Sequence, residues 1–489
     1  MGIEQPVEGP AWTGFGIQES AGRYPLRVEG AVSNVVGRLL PGVITTTRHA
    51  RMYALHTLGW AEAHERRLDQ EVAETLIRRM EVVISAIHHL HEAHRVNLST
   101  AHGENALEPY LVADRLDIDA ASELGGVSRR GFADVYQGPC VRIGALTEGA
   151  YPRPGTRADV ARIRNGLGGL LGLAERSSVT GDELRAASGL CLCMAADADD
   201  GRWLRDVLVE GPDDRGSDRR RQLTCGLLLD ALADRPSRSA VAAFRDRWAF
   251  GLPAGDPEAD ERSFVAALWR AAALRNFSVG AWRSLWRWLA SELRADPMTA
   301  QQLADRLADA LDDVRVSAML EGLPDRMDGD AVRPAEVDLL DATPSPMRDV
   351  RMLAIGAERL EDLNGPTLKA FVGTDPNDLG PRWVAGLLGE ARDRHVRDVA
   401  RELAVILVRR AQRVALSKME MRKGRPYVPT RLRDRDGILS VRGEEGAGDV
   451  ALRTDSLADV LAGIGYLDVG DGGLWQLTDR GEDVRGRLT

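Results

Sequence analysis

Four of the chain's nine histidines, His88, His89, His91 and His94, fall within seven positions of the stretch IHHLHEAH at 87–94. Neutral imidazole is the commonest side-chain metal ligand, and a bound metal would in turn permit hydrolytic chemistry. The pairs His88/His91 and His91/His94 are spaced i,i+3, so each could share an ion on one side of a helix. A third donor would have to come from His102, from Glu104, or from the preceding helix, whose face carries His49, Tyr53, His56, Trp60 and His64. HEAH is one residue too short for the HExxH signature of zinc proteases. On a helical wheel with Val72 at zero, the apolar residues from Val72 to Leu90 cover about 0° to 140°. His94 and His91 fall inside that stripe at about 40° and 100°, His88 at its edge near 160°, and His89 opposite at about 260°. The run therefore reads mainly as the polar end of a packing helix, with no cofactor required. A divalent metal on His88, His91 and His94, serving an enzyme, is the competing expectation.

Other catalytic signatures are absent. Lysine occurs only at Lys369, Lys418 and Lys423, and none of these follows a GxxxxG loop, which excludes a P-loop ATPase. There is no credible kinase lysine, no GxSxG nucleophile elbow and no HxK. The four cysteines, Cys140, Cys191, Cys193 and Cys225, make no CxxC pair and suggest a reducing compartment. GLGGLLG at 166–172 lies in helical sequence and reads as close helix packing, and DADDG at 197–201 lacks the spacing of a calcium loop. In WRSLWRWLASEL, residues Trp282, Leu285, Trp286, Leu289 and Leu293 share one face, the pattern of a core helix.

Charge points elsewhere. The chain is net −10, yet ten basic residues lie between positions 409 and 435: Arg409, Arg410, Arg413, Lys418, Arg422, Lys423, Arg425, Arg431, Arg433 and Arg435. Only Glu420, Asp434 and the adjoining Asp436 oppose them. A positive segment in an acidic protein is a local counter-field whose commonest partner is a phosphate backbone. At 117–146, AASELGGVS is close to the A-x-x-L-G-V-S of a helix-turn-helix, which would place Arg129 and Arg130 at the start of a second helix, facing phosphates.

The last stretch, DSLADVLAGIGYLDVGDGGLWQLTDRGEDVRGRL at 455–488, combines a short amphipathic helix, two strand-like runs joined by GDGG, and a helix opened by Thr478. Through Ile464-Gly465-Tyr466-Leu467 and Leu477-Thr478-Asp479-Arg480-Gly481 it resembles the helix, wing and terminal helix of winged-helix DNA-binding domains, over about 448–489. The resemblance implies a DNA-binding or protein-docking module. A long helical body ending in such a module is similar to accessory subunits of prokaryotic DNA-handling or antiphage-defence (antiviral) complexes.

The elements that position these residues are mostly helical. Periodicity predicts helices over about 47–66 and 69–95, successive helices over 157–312, and further helices at 346–362 and about 393–422. Strand signals concentrate in 425–489. The fold class is predominantly α, a multi-helical body with a small C-terminal α+β winged-helix-like domain. The expected division is an N-terminal helical domain (1–156), a central helical domain (157–312), an Asp- and Pro-rich linker (313–345), a C-terminal helical region (346–424) and the winged module (425–489). No run approaches the ~20 apolar residues of a membrane span, and no secretory signal is read at the start, so a cytoplasmic protein is expected. The sequence supports a non-enzymatic scaffold subunit that binds nucleic acid, DNA more than RNA, together with protein partners. A purely protein-binding adaptor and a histidine-based metalloenzyme are the alternatives.

Overall fold

Helices carry most of the chain, and strands occur only in small antiparallel sheets of two or three. The computed structural model describes residues 24–94, 100–124, 126–127, 133–212, 216–252, 255–375, 377–422 and 425–488. The elements gather into two units assembled from separated stretches. The first takes 36–248, 253–269 and 451–489; the second takes the chain up to 35, 249–252 and 270–450. One 35-residue helix, Glu261–Ala295, runs through the expected central domain and contributes to both units. The tail divides as well, with 425–450 in the second unit and 451–489 in the first.

In the first unit the Ala50–Glu65 helix is central, with every residue from Ala50 to Ala63 buried. Small residues allow neighbours to approach it: a Cβ on Gly59 would lie 2.5 Å from Ile77 Cγ1. The next helix, Gln70–Leu90, starts where the Asp69 carboxylate accepts the Val72 N–H, a side-chain cap for one of the free amides of the first turn. It buries Ala73, Leu76, Ile77, Met80, Val83, Ile84 and Ile87. Val72 is 48% exposed, so the buried stripe is rotated away from the wheel's origin. The helix ends at Leu90, because His91 is extended (φ −83°, ψ 103°). Helix Val160–Ala174 crosses this pair, capped by Asp159, and its Gly166 lies against Asp200 as the GLGGLLG reading expects. A three-stranded sheet of Leu111–Val112, Arg115–Asp117 and Ser178–Thr180 flanks them.

The second unit is built on 270–295 of the long helix, where Trp282, Leu285, Trp286, Leu289 and Leu293 are all buried, as their shared face predicts. Val396–Ser417 packs along Ala300–Asp309, whose start is fixed by a reciprocal capping box between Thr299 and Gln302. Strand Ile438–Val441 pairs with Leu432–Arg435 on one side and Met298–Thr299 on the other. The 313–345 stretch, expected as a linker, carries helix Val316–Glu321, a small hairpin (Met327–Asp328, Ala331–Val332) and helix Ala335–Leu340. Buried Arg359 draws this stretch inward: it holds Glu336 at 2.8 and 3.0 Å and donates to the carbonyls of Arg326 and Arg333. Among the described residues no helix is long and apolar enough to cross a membrane.

Candidate metal centre and candidate nucleic-acid interface

The histidine run meets two of the cysteines. The chain leaves the helix at Leu90, bends at Glu92 and Ala93, and brings His91 and His94 against Cys191 and Cys193. The donor atoms of these four residues all lie within 4.8 Å of one another. Cys193 Sγ is 3.4 Å from His91 Nδ1, Cys191 Sγ is 3.8 Å from His94 Nδ1, and the two sulfurs are 3.3 Å apart. Both cysteines are buried, His91 is half-buried and His94 is exposed. His88, the last buried residue of its helix, places Nδ1 3.2 Å from Cys191 Sγ.

A buried ion pair fixes the cysteine side. Arg51 makes a two-point contact with Asp200, at 2.9 and 3.1 Å, with both side chains fully buried. It also donates to the carbonyls of Gly189 and Cys191 at 2.8 and 2.7 Å, and to that of Gly166 at 3.1 Å. The turn that presents Cys191 is thereby tied to three helices, Ala50–Glu65, Val160–Ala174 and Asp199–Arg205. Here the sequence reading needs correction in two respects. The wheel extends the helix past Leu90, whereas His91 and His94 stand outside it. The side chains that His91 and His94 meet are Cys191 and Cys193, whereas other expected donors face elsewhere. Glu104 holds the Ala101 N–H and His89, and His49 and His64 contact the carbonyls of Thr100 and Pro152. His89 points to solvent as predicted. A CxC spacing was the only local signal of the second half of the cluster, and nothing in the sequence places it beside residues 97 and 102 positions away.

Four donors also decide what the cluster can do. Catalytic zinc keeps three protein ligands and one open position, whereas four protein ligands close the shell. Two cysteines and two histidines are a donor set known from structural zinc sites.

Of the ten basic residues of 409–435, the described ones fall at the end of helix Val396–Ser417 and in or beside two hairpins of the second unit. Arg409, Arg413 and Arg435 are exposed and form no ion pair among the described residues. Arg410 instead serves the fold, donating to the carbonyls of Leu26 and Asn377 at 2.6 Å each. Lys418 reaches the Tyr24 carbonyl, and Arg431 lies 3.4 Å from Glu445. Burial and neighbouring positive charge lower the pKa of Arg410, beside Arg413 and Arg27, and of Arg433, beside Arg442. Arg422 and Arg425 pair across the hairpin Glu420–Arg422/Arg425–Tyr427; their side chains, and Lys423, lie outside the described residues. Arg129 and Arg130 also lie outside them; the flanking helices are Ile118–Ser122 and Ala133–Arg142.

No family model, no curated protein and no solved structure matches this chain. At the C-terminus the elements follow the order expected of the winged-helix resemblance: helix Thr454–Gly463, hairpin Leu467–Val469/Trp475–Leu477, helix Asp479–Leu488. The first helix, however, is buried at every position except Asp455, whose carboxylate accepts the Val241 N–H. That leaves no uncovered helix face to enter a groove.

Proposed function

We propose that this chain is a non-enzymatic, nucleic-acid-binding subunit of a DNA-handling complex, contacting phosphates through its 409–435 segment. The observation that carries the reading is the group Arg409, Arg413 and Arg435, exposed and unneutralised in a protein of net −10, in which most other arginines are paired with carboxylates or carbonyls. Like charges held together without counter-ions raise the local potential and favour a polyanion. Contacts of this kind read the backbone rather than base edges, so binding should be strong at low salt and weakly selective for sequence.

The measurement is fluorescence anisotropy of labelled duplex DNA and single-stranded RNA across a salt series. The logarithm of affinity is expected to fall linearly with the logarithm of salt, and duplex DNA to bind more tightly than RNA. The triple variant Arg409→Ala/Arg413→Ala/Arg435→Ala is expected to reduce the slope by about 2 to 3, roughly one per lost phosphate contact. No binding at low salt, or an unchanged slope in the triple variant, overturns the reading. An adaptor reading would then gain weight from Leu416, Met419, Met421 and Ile438, large apolar side chains that are 42–66% exposed.

A further inference from the structure

We infer that His91, His94, Cys191 and Cys193 bind one zinc ion as a closed, four-coordinate structural clamp in the first unit. This inference is independent of the nucleic-acid reading.

Geometry supports it first. Zinc takes sulfur at ~2.3 Å and imidazole nitrogen at ~2.0–2.1 Å, so the edges of its coordination tetrahedron run from roughly 3.3 to 3.8 Å. The sulfur–nitrogen separations of 3.4 and 3.8 Å bracket the ~3.5 Å of a sulfur–nitrogen edge, while the sulfurs, 3.3 Å apart, would separate to ~3.8 Å around the ion. The sulfurs are farther apart than the ~2.05 Å of a disulfide.

Donor chemistry narrows the choice of ion. Two thiolates and two imidazoles form a borderline-soft set in the tetrahedral arrangement that favours zinc over magnesium or calcium, which prefer oxygen. Charge agrees as well. Two thiolates neutralise one divalent cation, so the buried sulfurs would carry no net charge into the interior.

The surroundings have the features of a supporting layer around a metal site. The Cys193 backbone N–H is directed at Cys191 Sγ, His88 Nδ1 lies 3.2 Å from the same sulfur, and Arg51 grips the Cys191 carbonyl. Partners of this kind orient ligands and tune the metal. Through the ion, the segment after helix Gln70–Leu90 would be joined to the turns at 188–197.

The test uses the full chain, purified with its affinity tag removed and without chelator. Elemental analysis is expected to return one zinc per chain. Cobalt substitution is expected to give the intense visible bands of a tetrahedral site together with thiolate-to-cobalt charge transfer. Cys191→Ser, Cys193→Ser, His91→Ala and His94→Ala are each expected to lower zinc content at least tenfold; His89→Ala retains it. Stripping the zinc is expected to speed proteolysis at 91–106 and 188–197 while leaving the second unit's cleavage pattern unchanged. Because a cysteine variant could fail to fold, the cobalt spectrum of the parent protein stands as an independent readout. Parent protein that lacks zinc after growth in zinc-supplemented medium and gives no thiolate-to-cobalt band overturns the proposal. Zinc retained by Cys193→Ser does so too. Zinc lost in His88→Ala but kept in His91→Ala overturns the ligand assignment.

Discussion

Asp200→Ala is expected to destabilise the first unit by about 3–5 kcal/mol, the usual effect of removing one partner of a buried ion pair. Arg51 and Asp200 are both fully buried, and the guanidinium makes two contacts to the carboxylate. With the carboxylate gone, the buried cation would be left with the carbonyls of Gly166, Gly189 and Cys191. Those carbonyls belong to the loop and helix that surround the cysteine pair, so the same variant should bind metal roughly 10- to 100-fold more weakly, as losses around metal ligands do. Gly166 gives a second way to disturb the pair, because a Cβ there would come within 2.0 Å of Asp200 Oδ1. Replacing both partners by apolar residues, Arg51→Met with Asp200→Leu, removes the stranded charge and should recover much of the stability. Urea unfolding followed by circular dichroism measures the first effect, and zinc competition measures the second. A loss below about 1 kcal/mol in Asp200→Ala would mean that water or a rearranged neighbour replaces the carboxylate.

What the sequence made legible was the periodic part of the fold. Helix Pro346–Asp362 lies within a residue of its expected range, and the buried face of the 282–293 segment is as its Trp and Leu spacing implies. Helix termini set by tertiary contacts were not legible. Nothing local stops the helix at Leu90: no glycine or proline follows, and His91 and His94 continue the wheel. The chain departs from helical geometry where these side chains turn toward Cys191 and Cys193. The cysteine half of the cluster was invisible for a different reason. Donors 97 and 102 positions apart are brought together by tertiary packing, including that of Val160–Ala174 and Asp199–Arg205 against the first helices.

The basic segment shows another limit. Sequence counts charges, but it does not reveal that Arg410 is held by two backbone carbonyls while Arg409 and Arg413 face solvent. Asp and Pro enrichment suggested a linker at 313–345, yet one buried arginine, Arg359, suffices to gather that stretch around its carbonyl and carboxylate acceptors. The Thr454–Gly463 helix did carry a clue to its burial. Ala458, Ala462 and Gly463 leave it with small residues off the apolar stripe, and Gly463 comes close enough to Ala50 that an added Cβ would lie 3.4 Å away.

Within the first unit, the buried pair His56 and Glu81 should shape the dependence of stability on pH. The two side chains approach to 2.6 Å with no exposure, and among the described residues none of their polar atoms has a well-aligned hydrogen-bond partner, each other included. His56 stacks on Tyr136, whose ring centroid is 5.4 Å away, and the charge of Arg78 reaches Glu81. Burial lowers the His56 pKa from 6.5 to about 3 and raises that of Glu81 well above 4.5, so the folded pair holds one proton over a wide range. In the unfolded chain the same two groups hold two protons below about pH 4.5, one between 4.5 and 6.5, and none above 6.5. Below 4.5 the unfolded state binds more protons than the native state, and stability falls as pH falls. Above 6.5 it binds fewer, and stability falls as pH rises, by about 1.4 kcal/mol per unit for one proton. These two groups therefore place their optimum between about 4.5 and 6.5. Glu81→Gln keeps a neutral, hydrogen-bonding side chain beside His56 but cannot release the proton, so the alkaline decline should disappear and the acid limb of His56 remain. Urea unfolding at intervals from pH 5 to 8 would show the parent losing stability relative to Glu81→Gln across that range, and parallel curves would mean that water or another group compensates the Glu81 charge when it forms.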